Sequence, residues 1–124
     1  MKSNYETESY LRWGGSNAYQ ESLRRRLKYG KKEISQAMSD MDHATNQVKN
    51  AMLEGLPPTS EKARTGAENH RLAISRWWYE CSLEMHKHLG DMYVSDSRFA
   101  ELYESRHAGL AEYIRAAIYA NAEQ

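Results

Sequence analysis

The stretch "HRLAISRWWYECSLEMHKHLGDMYVSDSRF", residues 70–99, decides the fold expected for this chain. Residues 70–89 contain neither proline nor glycine and consist mainly of side chains that helices accept. The pattern predicts one helix that is capped by Ser60, runs through to Leu89 and stops at Gly90. The residues that follow, 91–99, are expected to form a turn.

A rotation of 100° per residue divides the predicted helix into two faces. Leu72, Tyr79, Leu83 and His86 lie on one face, so the helix must sit between two layers. Periodicity alone favours core packing for the other face as well, but its soft and aromatic composition also suits the lining of a ligand cleft. This mixed face consists of His70, Ala73, Ile74, Trp77, Trp78, Cys81, Glu84, Met85 and His88.

The mixed face allows three kinds of chemistry. Cys81, Glu84 and His88 have the spacing of residues that share a metal ion, but one helix rarely supplies three ligands and no CxxC or HExxH pattern is present. Cys81 and His88 are two turns apart, about 10 Å, which is too far for a nucleophile and its base. We therefore expect no metal, no cofactor and no catalytic site, and a ligand cleft remains.

The rest of the chain is also expected to be helical, because no segment shows the alternating pattern of a strand. Residues 1–30 contain several aromatic but few aliphatic side chains, so they form a segment that either docks through its aromatics or stays mobile. Residues 31–124 form the core domain. The predicted helices are a short one up to Trp13, then Ser16 to Tyr29, Lys31 to Leu53, Asp96 to Tyr103 and Ala108 to Ala120.

Composition excludes several classes of protein. The 124 residues carry 17 basic and 17 acidic side chains, so no net charge favours nucleic acid or an anionic membrane. No apolar run is long enough to span a bilayer, and no secretory signal is visible. The basic run at residues 24–32 is expected to be a solvated helix face above Leu23, Leu27 and Tyr29. A single cysteine suits the reducing cytoplasm, and oligomeric state is not predicted.

Three motifs resemble the TipAS drug-recognition domain of MerR-type transcription activators. They are "RWGGSNAYQES" near the start, the stretch at residues 70–99, and "GLAEYIRAAIYANA" near the end. The resemblance covers nearly the whole chain but none of the DNA-binding half of such regulators. It implies a globin-like all-α fold without haem, with a mobile N-terminal helical lid that closes over thiopeptide antibiotics such as thiostrepton.

By position, the resemblance implies a ligand-binding cleft that includes Trp13 and Tyr19 on the lid. The rest of the expected ligand-binding set is His70, Ile74, Trp77, Trp78, Cys81, Met85, His88 and Tyr93. In the thiostrepton-binding member of the family, the cysteine that adds to the drug lies seven residues after the position of Cys81, where this chain has His88. Binding is therefore expected to be reversible. Two further departures are Ser82, where the family often has glycine, and Gly15–Ser16 in place of an Asp–Thr pair.

The leading hypothesis from the sequence is thus a non-enzymatic binding module for flat, heterocycle-rich peptide antibiotics. It would serve drug sequestration and resistance, or act as the sensor of a transcription activator without itself contacting DNA. Two alternatives remain open at this stage. The aromatic face could dock a partner helix, or Cys81 could capture a drug covalently.

Overall fold

The computed structural model describes residues 15–124, and for residues 15–19 only the backbone. Within this part of the chain all regular structure is helical, which confirms the expected all-α class. The prediction of a short helix up to Trp13 lies outside the described residues. The helices are α1 (Gly15–Leu27), α2 (Lys31–Leu53), α3 (Glu61–Trp77), α4 (Leu83–Ser95), α5 (Ser97–Glu104) and α6 (Leu110–Ala122).

Several helix ends follow directly from capping residues. The Ser60 hydroxyl accepts a hydrogen bond from the Ala63 amide at 3.2 Å, so α3 begins where the cap predicts. Asp96 caps α5 in the same way, accepting from the Arg98 amide at 3.0 Å. Gly109 precedes α6 with φ +88°, a left-handed conformation that suits glycine, and α6 therefore begins two residues later than predicted.

The single helix predicted from Ser60 to Leu89 is wrong. α3 ends at Trp77, and a new helix begins after Ser82, whose hydroxyl accepts from the Met85 amide at 3.0 Å. Side chains of α3 stabilise the break: the Ser75 hydroxyl accepts from the Cys81 amide at 3.0 Å, and Arg71 donates to the Cys81 carbonyl at 2.8 Å. Local helix propensity is therefore overridden by a good N-cap and by hydrogen bonds to the preceding helix.

Gly90 lies inside α4 and does not end a helix, so most of the predicted turn after it is helical too. A Cβ at Gly90 would lie 3.4 Å from Ile118 Cδ1, in ordinary to tight contact. The glycine thus serves the close approach of α4 to α6. Tyr93 consequently lies on a helix, where it is buried.

The break also overturns the two-faced helix. Leu72 and Leu83, expected in the core, keep 48% and 40% of their surface exposed, whereas Tyr79 and His86 are buried. The core lies instead where α2 packs on α3, α4 packs on α6, and α6 contacts α3. Its main side chains are Val48, Ile74, Tyr79, Cys81, Leu89, Met92, Tyr93, Leu110, Ile114 and Ile118.

Candidate functional site

A cleft of about 690 Å³ lies between α2 and α5. Its volume is within the usual range for small-molecule sites, and most of its lining is apolar or aromatic. α2 packs mainly on α3, while α5 packs on α4 and α6, so the facing sides of α2 and α5 stay apart. The cleft is lined by Arg26, Ile34, Met38, Met41, Asp42, Thr45, Trp78, Tyr93, Phe99, Leu102, Tyr103, Ser105 and Arg106.

The two walls of the cleft expose apolar side chains to solvent. On α2, Met38 keeps 55% of its surface exposed, and on α5 Leu102 keeps 52%. Methionine side chains are flexible and polarisable, which lets such a wall adapt to ligands of different outline. Exposed apolar side chains on two facing walls are the kind of surface that a ligand can cover.

Aromatic rings form the floor. The ring centroid of Tyr93 lies 5.9 Å from that of Phe99 and 4.8 Å from that of Tyr103. Trp78, from the break between α3 and α4, joins the same lining. At the rim, the carboxylate of Asp42 on α2 pairs with the guanidinium of Arg106 beyond α5. The cleft therefore combines a stacking surface with a few charged groups at its edge.

Two buried histidines lie behind the floor. His70 Nδ1 is 3.0 Å from His86 Nε2, and His70 Nε2 is 3.3 Å from the Tyr103 hydroxyl. Burial lowers the pKa of His70 to about 4, with a smaller effect from the charge of Arg106. Burial also lowers the pKa of His86, and His70 and Arg71 lower it further. Both imidazoles are thus neutral near pH 7 and link α3, α4 and α5 through hydrogen bonds.

The residues expected in the ligand-binding set fall into different places. Trp78 and Tyr93 line the cleft, whereas His70 and Ile74 are buried within the helical bundle. Met85 and His88 lie on α4 outside the cleft lining, and the His88 ring is 3.9 Å from the carboxylate of Glu84. The expectations for Trp13 and for the side chain of Tyr19 lie outside the described residues.

Cys81 is fully buried in the break between α3 and α4 rather than on a helix face. Burial raises the pKa of its thiol to about 12, so at neutral pH the nucleophilic thiolate is rare. The spacing that made Cys81, Glu84 and His88 candidates for one ion depended on a continuous helix, which is absent here. Across residues 15–124, no three His, Cys, Asp or Glu side chains are grouped so as to hold a metal.

Sequence reasoning missed most of the cleft lining. Ile34, Met38 and Met41 form a regular apolar stripe on α2. The same spacing is typical of a helix face that packs in the core, so it does not identify a cleft wall. Their richness in methionine was the available signal. Leu102 and Phe99 gave no comparable signal, because their placement depends on how α5 turns away from α4.

Comparison with known proteins gives a consistent result. The model of the TipAS antibiotic-recognition domain matches residues 5–121. The chain is 42% identical, over 118 residues, to the HTH-type transcriptional activator TipA of Streptomyces coelicolor, and those residues are 95% of this chain but 47% of the relative. The HTH-type transcriptional activator mta of Bacillus subtilis is 27% identical over 104 residues. The chain thus spans about half the length of the curated relatives it matches.

Two solved structures resemble the model. One is TipAS from Streptomyces lividans in complex with nosiheptide, with a TM-score of 0.85 and 40% identity over 98% of this chain and 85% of that one. The other is the antibiotic-binding domain of a TipA-class multidrug resistance transcriptional regulator, with a TM-score of 0.64 and 44% identity over 69% of this chain and 92% of that one. The first likeness confirms the expected globin-like arrangement. None of the helices in the described residues is long and apolar enough to cross a membrane.

Proposed function

The chain belongs to the TipAS antibiotic-recognition domain family, and on that premise we propose that it binds thiopeptide or similar flat, heterocycle-rich peptide antibiotics in the α2–α5 cleft. The observation that carries this proposal is the cleft itself, about 690 Å³ in volume with an aromatic floor and exposed apolar walls. Rigid heterocycles can stack on Trp78 and Phe99, which are only partly buried, while Met38 adapts to their outline. The related TipAS structure, which holds nosiheptide, supports the same ligand class.

Binding is proposed to be reversible and non-enzymatic. Covalent capture through Cys81 is disfavoured because the thiol is buried, its pKa is raised to about 12, and it lies outside the cleft lining. The Tyr103 hydroxyl next to His70 is buried, and burial raises its pKa to about 12, so it is a poor nucleophile and the lining supports binding. The volume suits a small ligand better than a whole partner helix, whose anchors would need a longer groove.

The biological role we propose is drug resistance, through sequestration or as the sensor part of a transcription activator in the cytoplasm. Two relatives are HTH-type transcriptional activators, and a related structure comes from a multidrug resistance regulator. In a regulator, a ligand that binds one conformation more tightly shifts the equilibrium of the attached module. Residues 1–30 are proposed as the lid segment and residues 31–124 as the binding core.

Calorimetry with nosiheptide on two matched variants tests the binding site. Met38 and Leu53 both lie on α2 and have nearly equal exposure, 55% and 54%, but only Met38 lines the cleft. Met38→Glu places a charge where an apolar ligand would exclude water, so affinity should fall by roughly tenfold or more. Leu53→Glu should bind like the original chain. Equal affinity in both variants would place the ligand elsewhere, and no binding to the original chain would reject nosiheptide as a ligand.

A further inference from the structure

Two opposite charges face each other across the mouth of the cleft. The carboxylate of Asp42, on α2, pairs with the guanidinium of Arg106, in the turn that follows α5. Both side chains belong to the cleft lining, and 59% of Asp42 and 36% of Arg106 stay exposed. The pair therefore lies at the rim, where a ligand in the cleft can reach it.

Both walls have the same order of side chains. Asp42 follows Met38 by four residues on α2, about one helical turn, and Arg106 follows Leu102 by the same distance at the end of α5. The Arg106 amide donates to the Tyr103 carbonyl at 3.0 Å, which continues the turn beyond α5. Each wall thus presents an exposed apolar side chain beside a charged one, and the two charges have opposite signs.

The ion pair is not needed to hold the walls in place. α2 packs mainly on α3, while α5 packs on α4 and α6, so each wall is positioned by other helices. An ion pair between exposed side chains also adds little to the free energy of folding. Stability alone therefore gives no reason for an acid and a base at these two positions.

A peptide group fits between such charges because it offers one donor and one acceptor. A guanidinium only donates hydrogen bonds and a carboxylate only accepts them, so Arg106 suits the carbonyl of a peptide group and Asp42 suits its N–H. Hydrogen bonds with one charged partner are stronger than neutral ones, and a ligand that covers the rim excludes the water that weakens them.

We propose that Asp42 and Arg106 are specificity-determining residues that bind a peptide group of the antibiotic, while the apolar walls and the partly buried rings contact its heterocycles. The preferred ligand is then flat and apolar on its faces and carries a secondary amide at one edge. This inference rests on the proposed function, because it assigns the part of the antibiotic that the rim recognises.

Calorimetric titration with nosiheptide tests the role of the rim. Asp42→Asn removes the negative charge but keeps an acceptor oxygen, so binding should weaken about fivefold. Arg106→Met keeps an unbranched apolar stem without any donor, so binding should weaken by roughly tenfold or more. The urea midpoints of both variants should stay close to that of the original chain, which separates ligand recognition from a structural role.

Glu54→Gln is the matched control. Glu54, at the end of α2, pairs with Lys62 on α3, with 49% and 47% of the two side chains exposed, and neither residue lines the cleft. This variant should bind nosiheptide like the original chain. An equal loss of affinity in Glu54→Gln would show a general effect of surface charge and would overturn the proposal.

Unchanged or tighter binding in both Asp42→Asn and Arg106→Met would also overturn the proposal, since the pair would then only bridge the walls or compete with the ligand. If Met38→Glu weakens binding in that case, the cleft remains the antibiotic site and only the recognition of a peptide group fails. Absence of nosiheptide binding in the original chain would instead reject the proposed function, and this inference with it.

Discussion

Lowering the pH from 7 to 5 should destabilise the folded protein because the buried His70–His86 pair resists protonation. The His70 ring is wholly buried, and the pKa of its imidazole falls from 6.5 to about 4 on folding. When a histidine pKa is depressed in the folded state, the unfolded chain binds protons first as pH falls. The stabilisation is therefore fully present above pH 6.5 and is lost between pH 6.5 and about pH 4.

The size of the effect follows from the two pKa values. At pH 5 an unfolded histidine is almost fully protonated while native His70 is almost fully neutral, which corresponds to about 2 kcal/mol from this residue. Burial lowers the pKa of His86 as well, so it adds in the same direction. Carboxylates such as Glu68 and Asp40, whose pKa values their hydrogen-bond partners lower, lose stabilisation only below their ordinary values of 4.5 and 3.8. The window from pH 6.5 to pH 5 therefore isolates the histidines.

Urea denaturation between pH 7.5 and pH 5 measures the loss directly. The double variant His70→Phe/His86→Leu should show a nearly flat profile of unfolding free energy across this window. Nitrogen-15 NMR of the His70 ring gives a second readout that does not depend on the variants folding. A stability that is constant from pH 7.5 to pH 5, together with a ring that titrates near pH 6.5, would refute the reasoning.

Other consequences concern single positions. Cys81, whose thiol pKa burial raises from 9.0 to about 12, should react with iodoacetamide roughly tenfold or more slowly in the native than in the urea-unfolded protein, and equal labelling rates would contradict its burial. Gly66→Ala should cost about 2 kcal/mol in urea denaturation, because its Cβ would lie 2.8 Å from Val48 Cγ2 and 3.0 Å from Val48 N. Gly109→Ala should lower the free energy of unfolding by about 1 kcal/mol, because alanine is disfavoured at its φ of +88°. An unchanged urea midpoint would show that the turn relaxes to accept alanine.

Helix capping explains why much of the fold could be predicted from the sequence. Ser60 and Asp96 cap helices where expected, and Lys31–Leu53 is a helix with the predicted bounds. The error lay at residues 78–82, where no proline or glycine marks the end of α3. Ser82 is a good N-cap, but the deciding interactions come from Ser75 and Arg71, whose contacts with Cys81 exist only after the chain bends. Such non-local hydrogen bonds leave no periodic pattern in a sequence.

The candidate site was harder to predict than the fold. Trp78 and Tyr93 do line the α2–α5 cleft, but Trp78 was predicted from a helix face that the break removes, and Tyr93 was assigned by resemblance to a turn that is in fact helical. Trp77 and His70 are residue types that often line binding sites, yet here both are buried and contact other side chains of the protein. Composition indicates that aromatic and titratable groups are concentrated in one stretch. Only the packing of α2 and α5 decides which of them meet solvent.

Methyl NMR of the methionines tests the location of the binding site most directly. Met38 and Met41 line the cleft, whereas Met85, which the resemblance assigned to the ligand-binding set, lies on α4 outside the cleft lining, and Met92 is buried. On addition of nosiheptide, the Met38 and Met41 methyl signals should shift and show contacts with ligand protons, while those of Met85 and Met92 should not. Ligand contacts at Met85, with Met38 and Met41 unchanged, would contradict the assignment of the α2–α5 cleft as the antibiotic site.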